Sequence, residues 1–209
     1  MNVVIAQTET TCALDAGDVR LLFTWRGDRW SHQILLAGSA FASSFEWEAG
    51  QADSERVVSP AYQQLLVQEH GGQSQVLTVG QWGRHHFSGV FVMSYDDGSA
   101  RIDVDLAVRT RDPLLALAST YAVHRSSLDL ENASPEGATW TTGLSETPRI
   151  RLEPAEPANG PSRVTLAESG RGETRVQVAT PTDPRSANHR LLYRWRWDLT
   201  GEHSVFVRS

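Results

Sequence analysis

The dipeptide Asp97-Gly98 most constrains what this chain can fold into. It separates two runs of alternating apolar and polar residues, and Asp-Gly between such runs is among the strongest local signals for a β-hairpin. With these residues at the centre of a type I′ turn, Phe91 lies opposite Val104, and every pair on that face is apolar or small. A slip of one residue would set Phe91 against Asp103. The pattern therefore predicts one register and one core-facing side.

Further hairpins follow from the same reasoning. Gly27-Asp28 joins two alternating runs and predicts that Trp25 lies opposite Trp30. Gly71-Gly72 predicts a third hairpin. Together with the hairpin at Asp97-Gly98, it forms a predicted four-strand meander from Tyr62 to Arg109. Four later runs are also read as strands: Arg163–Glu168 paired with Thr174–Ala179, then Leu191–Leu199, then Ser204–Val207. We expect about twelve short strands with Gly-rich turns, the pattern of a sandwich or barrel.

Two segments are ambiguous. Leu114 to Val123 suits a helix by propensity, but its apolar residues also alternate and its flanks are strands, so we favour a strand. The segment 131–161 holds five prolines and one isolated apolar patch, and predicts a long irregular surface excursion or an edge element. The expected fold class is all-β, with residues 1–209 forming a single large antiparallel β-sandwich.

Composition excludes several kinds of chemistry. The net charge is −6 and there is no basic run, so we expect neither a nucleic-acid nor an anionic-membrane partner. All 19 basic residues are arginine, which rules out Schiff-base and P-loop lysines. Cys12 is the only cysteine, so no intrachain disulfide and no cysteine metal cluster can form. We expect no cofactor.

The apolar runs are short. None approaches the roughly 20 residues of a membrane-spanning helix. Residues 1–10 lack both a basic start and a long apolar segment, so we expect a cytoplasmic protein without a secretory signal.

His85 and His86 are the most evident pair of metal-ligand side chains. Adjacent residues of a strand point to opposite faces, so the two imidazoles cannot easily share one ion. We therefore expect no metal site. In the alternative interpretation both histidines have only structural roles, with one packed against the core and the other in solvent.

The outer face of the first hairpin offers candidate catalytic groups. Asp103 and Asp105 share that face roughly 7 Å apart, a spacing that resembles the carboxylate pairs of acid–base enzymes. His86 is the third candidate, at the far end of the same face. Arg101 and Arg109 bracket the carboxylates, so the competing interpretation is ordinary surface ion pairing on the solvent side of a sheet.

Exposed aromatic rings would suit a sugar-binding surface. Of the seven tryptophans, Trp195 and Trp197 alternate with arginines and are expected in the core, whereas Trp82 and Trp140 lie in a turn and in the irregular segment. Four residues at one end of the meander form the predicted ligand site for a carboxylate or an acidic sugar: Trp82, Arg84, His86 and Arg109. In the competing interpretation, Trp82 folds inward and Arg84 pairs with a surface acid.

Two function classes are compatible with these features of the sequence. One is a non-enzymatic sandwich that binds a small acidic ligand, a glycan or a protein partner. The other is a sugar-directed acid–base enzyme of the mutarotase or lyase type, using His85 or His86 with Asp103, Asp105 or Glu69. No catalytic sequence motif is present, which favours the first class. The architecture resembles the sandwiches of carbohydrate-active proteins, an analogy at the level of fold. The oligomeric state is left open.

Overall fold

The computed structural model describes residues 3–46, 56–124, 128–141, 149–155, 162–169 and 173–198. In these residues the regular elements are strands, and two sheets pack face to face, so the expected all-β sandwich is confirmed. The strands, numbered along the chain, are β1 (Val4–Gln7), β2 (Thr11–Ala16), β3 (Val19–Trp25), β4 (Trp30–Leu36), β5 (Ser39–Ser44), β6 (Arg56–Val57), β7 (Gln64–His70), β8 (Gln73–Trp82), β9 (His85–Asp96), β10 (Ser99–Thr110), β11 (Ala116–His124), β12 (Asp129–Ser134), β13 (Gly137–Thr141), β14 (Arg149–Pro154), β15 (Arg163–Ser169), β16 (Glu173–Thr180) and β17 (Asn188–Asp198).

Sheet A carries the N-terminal hairpins. Its order is β1-β2-β3-β4-β5-β11-β16-β15, and β6 adds a short parallel pairing to β11. Sheet B has the order β12-β13-β14-β17-β10-β9-β8-β7. The predicted meander forms its β7 to β10 half, and β17 is inserted between β10 and β14.

The predicted hairpin registers are confirmed. Asp97 and Gly98 both have positive φ, 44° and 75°, as a type I′ turn requires. Phe91 lies opposite Val104, and Trp25 lies opposite Trp30. Because a hairpin's register is fixed by its turn, local sequence was enough to place these strands.

Alternate residues of the strands fill the space between the sheets. On β17, Tyr193, Trp195 and Trp197 are buried while the residues between them face outward. Trp140 of β13 joins them, with its ring 5.7 Å from that of Trp195 and 5.8 Å from that of Phe41. Trp195 and Trp197 are therefore core residues, as the alternation predicted.

The segment 131–161 differs from the irregular excursion that its composition suggested. Its described part forms three strands, and the edge-element alternative holds for β12. Trp140, Ile150 and Leu152 are fully buried, because their strands present one apolar face to the core despite the flanking prolines. The segment Leu114–Val123 is a strand, β11, as favoured. The predicted turn at residues 170–172 and the predicted strand at 204–207 lie outside the described residues.

Candidate functional site

His86 and Arg109 lie directly opposite each other on the outer face of sheet B, and both are exposed, as the register predicted. Trp82 is on the other face. It pairs with His85 across the β8–β9 ladder, and the ring centroids of these two residues are 6.1 Å apart. Trp82 is partly buried and packs against the hydrophobic core. The sequence placed this indole outside because glycines flank it, but Trp82 belongs to the ladder and takes its core-facing side.

Arg84 is engaged in an ion pair. Its Nη1 lies 3.0 Å from Oδ1 of Asp112. The four predicted ligand-binding residues are therefore not brought together: Trp82 faces the core, Arg84 has a carboxylate partner, and only His86 and Arg109 share a surface. The competing interpretation, an inward Trp82 and a paired Arg84, describes this geometry.

The two adjacent histidines point to opposite faces, as predicted. His85 is 1% exposed and His86 is exposed. In the described part of the chain, no group of three or more His, Cys, Asp or Glu side chains is arranged to hold a metal ion.

Asp103 and Asp105 lie on the outer face as predicted, but arginines engage both. Asp103 accepts from Arg194 Nε at 3.0 Å and pairs with Arg101 Nε at 2.7 Å. Asp105 accepts two hydrogen bonds from the guanidinium of Arg190, and this pairing raises the pKa of Arg190 above its ordinary value. The geometry matches the surface-pairing interpretation.

The remaining acid–base candidates are distant from these carboxylates. His86 is opposite Arg109, four residues along β10 from Asp105, which corresponds to about 13 Å at the rise of a strand. Glu69 alternates with the outward residues of β7 and so takes the opposite face from Asp105. The candidates do not form one catalytic cluster in this structure.

A different cluster occupies the same surface, and we call it the arginine row: Arg151, Arg196 and Arg101. Arg151 of β14 lies directly opposite Arg196 of β17, which lies directly opposite Arg101 of β10. Three guanidiniums thus follow one another on adjacent strands, about 4.8 Å apart at the backbone. Like charges directly opposite each other destabilise a sheet. This arrangement is the least expected feature of the face.

Carboxylates offset the row only in part. Arg196 Nε donates to Oδ1 of Asp198 at 2.9 Å, and Arg101 shares Asp103 with Arg194. Arg151 makes no ion pair with any residue that the structure describes. Seven arginines and four carboxylates face outward from β10, β14 and β17: Arg101, Arg109, Arg149, Arg151, Arg190, Arg194 and Arg196, with Asp103, Asp105, Glu153 and Asp198. On these three strands arginines therefore outnumber carboxylates, although the net charge of the chain is −6.

Neutral polar residues continue the row at both ends. Ser94 lies opposite Arg101, and Thr139 lies opposite Arg151. Each end opens into a depression. The first, of about 530 Å³, lies by the β9–β10 turn and is lined by Gln73, Ser94, Tyr95, Asp96, Asp97, Ser99, Arg101, Arg194 and Arg196. The second, of about 420 Å³, is lined by Glu131, Asn132, Ser134, Glu136, Gly137, Ala138, Thr139, Arg151, Leu152 and Glu153. The arginine row joins the two depressions across the strands.

A second polar cluster lies in the interior, and we call it the buried chain. His32 Nε2 is 2.9 Å from the hydroxyl of Tyr121, which is 2.7 Å from the hydroxyl of Tyr193, which is 2.8 Å from Ser119 Oγ. The chain crosses from sheet A to sheet B. Burial lowers the pKa of His32 to about 3 and raises the pKa of both tyrosines, so all of these groups are neutral at ordinary pH.

Glu46, two residues beyond the end of β5, is a further group with a shifted pKa. Burial raises the pKa of its carboxyl to about 7, against the opposing effect of Arg29, whose Nε lies 3.8 Å away. Ser44 links the two regions, since its hydroxyl donates to Glu46 at 3.5 Å and accepts from the backbone N–H of His32 at 3.0 Å.

Sequence reasoning did not find the arginine row. It placed Arg101 on the outer face of β10 and Arg194 and Arg196 on the outer face of the last strand. The sequence interpretation did not include the pairing of β10 with β17, because no turn connects these strands. The signal that existed was the Arg-Trp-Arg-Trp alternation in β17.

Comparison with known proteins identifies no family for this chain. No family model matches the chain, and no curated protein sequence matches it. Among solved structures, the chain is similar to the 4-alpha-glucanotransferase from Thermococcus litoralis, with 8% sequence identity and a TM-score of 0.45. The likeness covers 94% of this chain and 39% of that one, so this chain spans well under half of that protein. None of the described elements is a helix of the length and apolar character needed to cross a membrane.

Proposed function

We propose that this chain is a non-enzymatic binding domain whose arginine row takes an elongated anionic glycan, such as a uronic-acid oligosaccharide. The observation that carries the proposal is the register of Arg151, Arg196 and Arg101 on three adjacent strands. A bound anion would replace guanidinium–guanidinium repulsion by charge-assisted hydrogen bonds, which arginine makes to carboxylates in bidentate geometry.

The surroundings of the row support an extended ligand. The two depressions lie at opposite ends of the row, so a chain of sugars could run across the strands from one to the other. Ser94 and Thr139 continue the row with hydroxyl groups suited to sugar hydroxyls. Trp140, Trp195 and Trp197 are buried, so recognition here would rest on charge and hydrogen bonding rather than on indole stacking.

The acid–base enzyme is the weaker alternative. Asp103 and Asp105 are held by arginines, and neither His86 nor Glu69 lies beside them. A catalytic pair would need one carboxyl and one base within reach of the same substrate atom.

Isothermal titration calorimetry with an oligogalacturonate tests the proposal. We expect binding of the oligogalacturonate, no binding of a neutral oligosaccharide of equal length, and affinity that falls as salt is raised. Arg196→Ala should weaken binding about tenfold or more, because it removes a charge-assisted contact at the centre of the row.

Arg20→Ala is the matched control. Arg20 lies on the outer face of sheet A, its side chain is 51% exposed against 49% for Arg196, and it pairs with Asp15 as Arg196 pairs with Asp198. Its loss should leave affinity unchanged. Equal binding of the neutral oligosaccharide, or equal effects of the two substitutions, would contradict the proposal. A single-stranded oligonucleotide of similar charge shows whether the row selects glycans among anions.

A further inference from the structure

The edge strand β7 differs from the other three sheet edges. β1 has only 4 residues, β12 has a register shift between Leu130 and Asn132, and Val164 of β15 donates its backbone N–H to the carbonyl of Pro135. β7 has 7 residues, Gln-Leu-Leu-Val-Gln-Glu-His, without proline, lysine, arginine or a bulge. Within the described residues it is a regular edge whose one acidic residue is Glu69, and it lacks the proline, lysine and bulge that commonly protect such edges.

The backbone of β7 fixes which groups point away from the sheet. Gly71-Gly72 is a two-residue turn, so His70 and Gln73 beside it form a hydrogen-bonded pair. Counting back, Gln68 and Leu66 also bond to β8, while the N–H and C=O groups of Val67 and Leu65 point outward. An added antiparallel strand must therefore bond to Leu65 and Val67.

The sequence of β7 is complementary to itself in one register that fits this backbone. A two-fold axis at Leu66 sets Leu65 against Val67 of the second copy as a hydrogen-bonded pair, and sets Gln64 against Gln68. A two-fold axis at Val67 also fits the backbone, but it sets Leu65 against Glu69 and Leu66 against Gln68. Only the first register matches apolar with apolar and amide with amide.

Exposed apolar side chains lie where this register would cover them. Leu66 is 60% exposed, which together with Val4 is the highest value among the large apolar residues that the structure describes. It lies opposite Leu77, which lies opposite Val90, all on the outer face of sheet B. Pairing at Leu66 would join two such rows into one apolar ribbon across the boundary between copies.

We propose that β7 pairs with β7 of a second copy of this chain, antiparallel and centred on Leu66, so that two sheets B become one continuous sheet. The inference is independent of the glycan proposal. The contact is one strand wide, smaller than a standard stable interface, so the dimer dissociates on dilution, with a dissociation constant in roughly the micromolar range.

Sedimentation velocity of the full chain over a range of concentrations, up to several hundred micromolar, gives the first test. We expect a reversible monomer–dimer equilibrium. Leu66→Lys should weaken it more than about tenfold, because it places like charges directly opposite each other. Leu115→Lys is the matched control, since Leu115 is 50% exposed and belongs to another part of the surface. A monomer at every concentration, or a dimer that Leu66→Lys leaves intact, overturns the proposal.

Cross-linking tests the register itself. Leu66 would face its own copy in a non-hydrogen-bonded pair, with Cα atoms about 4.5 Å apart, within the range for a disulfide. With oxidised glutathione as the oxidant, Leu66→Cys should give a covalent dimer, and glutathione leaves as the reduced thiol. Gln68→Cys should not, because the two copies of that residue would be about 13 Å apart. The native Cys12 is fully buried and does not compete. Equal cross-linking of the two variants, or none by Leu66→Cys, contradicts the register.

Discussion

Strand β17 contributes one residue to the buried chain and one to the arginine row, on opposite sides. Tyr193 belongs to the buried chain, and its hydroxyl is bonded on both sides at 2.7–2.8 Å. Arg196, three residues later, belongs to the arginine row, where its neighbours on both adjacent strands are also positively charged. The interior cluster bonds its three hydroxyls and Nε2 of His32 to one another, and Nδ1 of His32 alone in the buried chain has no hydrogen-bond partner among the described residues. The surface cluster leaves like charges directly opposite each other on three strands, and the proposed glycan site rests on this property.

The comparison predicts that interior and surface changes on one strand have very different effects on stability. Phe91 is 1% exposed, and its ring lies against those of Phe23, His32 and Tyr62, at 5.1, 5.1 and 6.1 Å. Phe91→Ala should lower the free energy of unfolding by about 3–5 kcal/mol, measured by urea denaturation, because it leaves a cavity between the sheets. This is the largest effect that we predict.

Val92→Ala is the control for that substitution. Val92 is the next residue of β9 and takes the outer face, opposite Asp103. Its truncation should change stability by less than about 1 kcal/mol, as expected of surface positions. If Phe91→Ala lowered the free energy of unfolding as little as Val92→Ala does, the stability of the core would not depend on the Phe91 ring.

The buried chain also predicts how stability depends on pH. The pKa of His32 is lowered to about 3 by burial, whereas in the unfolded chain it has its ordinary value near 6.5. Below pH 6.5 the unfolded chain therefore binds a proton that the folded chain does not. The contribution of His32 to the free energy of unfolding should fall by about 1.4 kcal/mol per pH unit, from pH 6.5 down towards pH 3.

Glu46 should act in the opposite direction. Its pKa is raised to about 7, so between about pH 7 and its unfolded value of 4.5 the folded chain binds the extra proton, and stability rises as pH falls. Chemical denaturation of the parent, His32→Gln and Glu46→Gln over this range separates the two. As pH falls, the stability of the parent relative to His32→Gln should decrease. Over the same range, the stability of the parent relative to Glu46→Gln should increase. Parallel pH profiles for all three proteins would refute the buried ionisations.

The hairpins were predictable from sequence because their determinants are local. Asp97-Gly98 fixed the β9–β10 register, and with it the outer position of Asp103 and Asp105. The arginine row was not predictable, because it depends on the pairing of β10 with a strand far along the chain. Trp82 shows a different failure: flanking glycines suggested an exposed turn, but the ladder extends through Trp82 to His85 and gives the ring a core-facing side. The turn instead lies at Gly83-Arg84.

The smallest predicted effect concerns Arg196 and distinguishes function from stability. Arg196→Gln removes two cross-strand repulsions, with Arg101 and Arg151, and one ion pair, with Asp198. Cross-strand charge pairs contribute roughly 0.2–1 kcal/mol each, and an exposed ion pair contributes about as much. The free energy of unfolding should therefore be unchanged or higher by up to about 1 kcal/mol, while oligogalacturonate affinity falls. Matched thermal unfolding and titration measurements check both values on the same protein. If Arg196→Gln destabilised the fold by more than about 1 kcal/mol, the exposed-surface estimate would fail and the row would have to be regarded as structural.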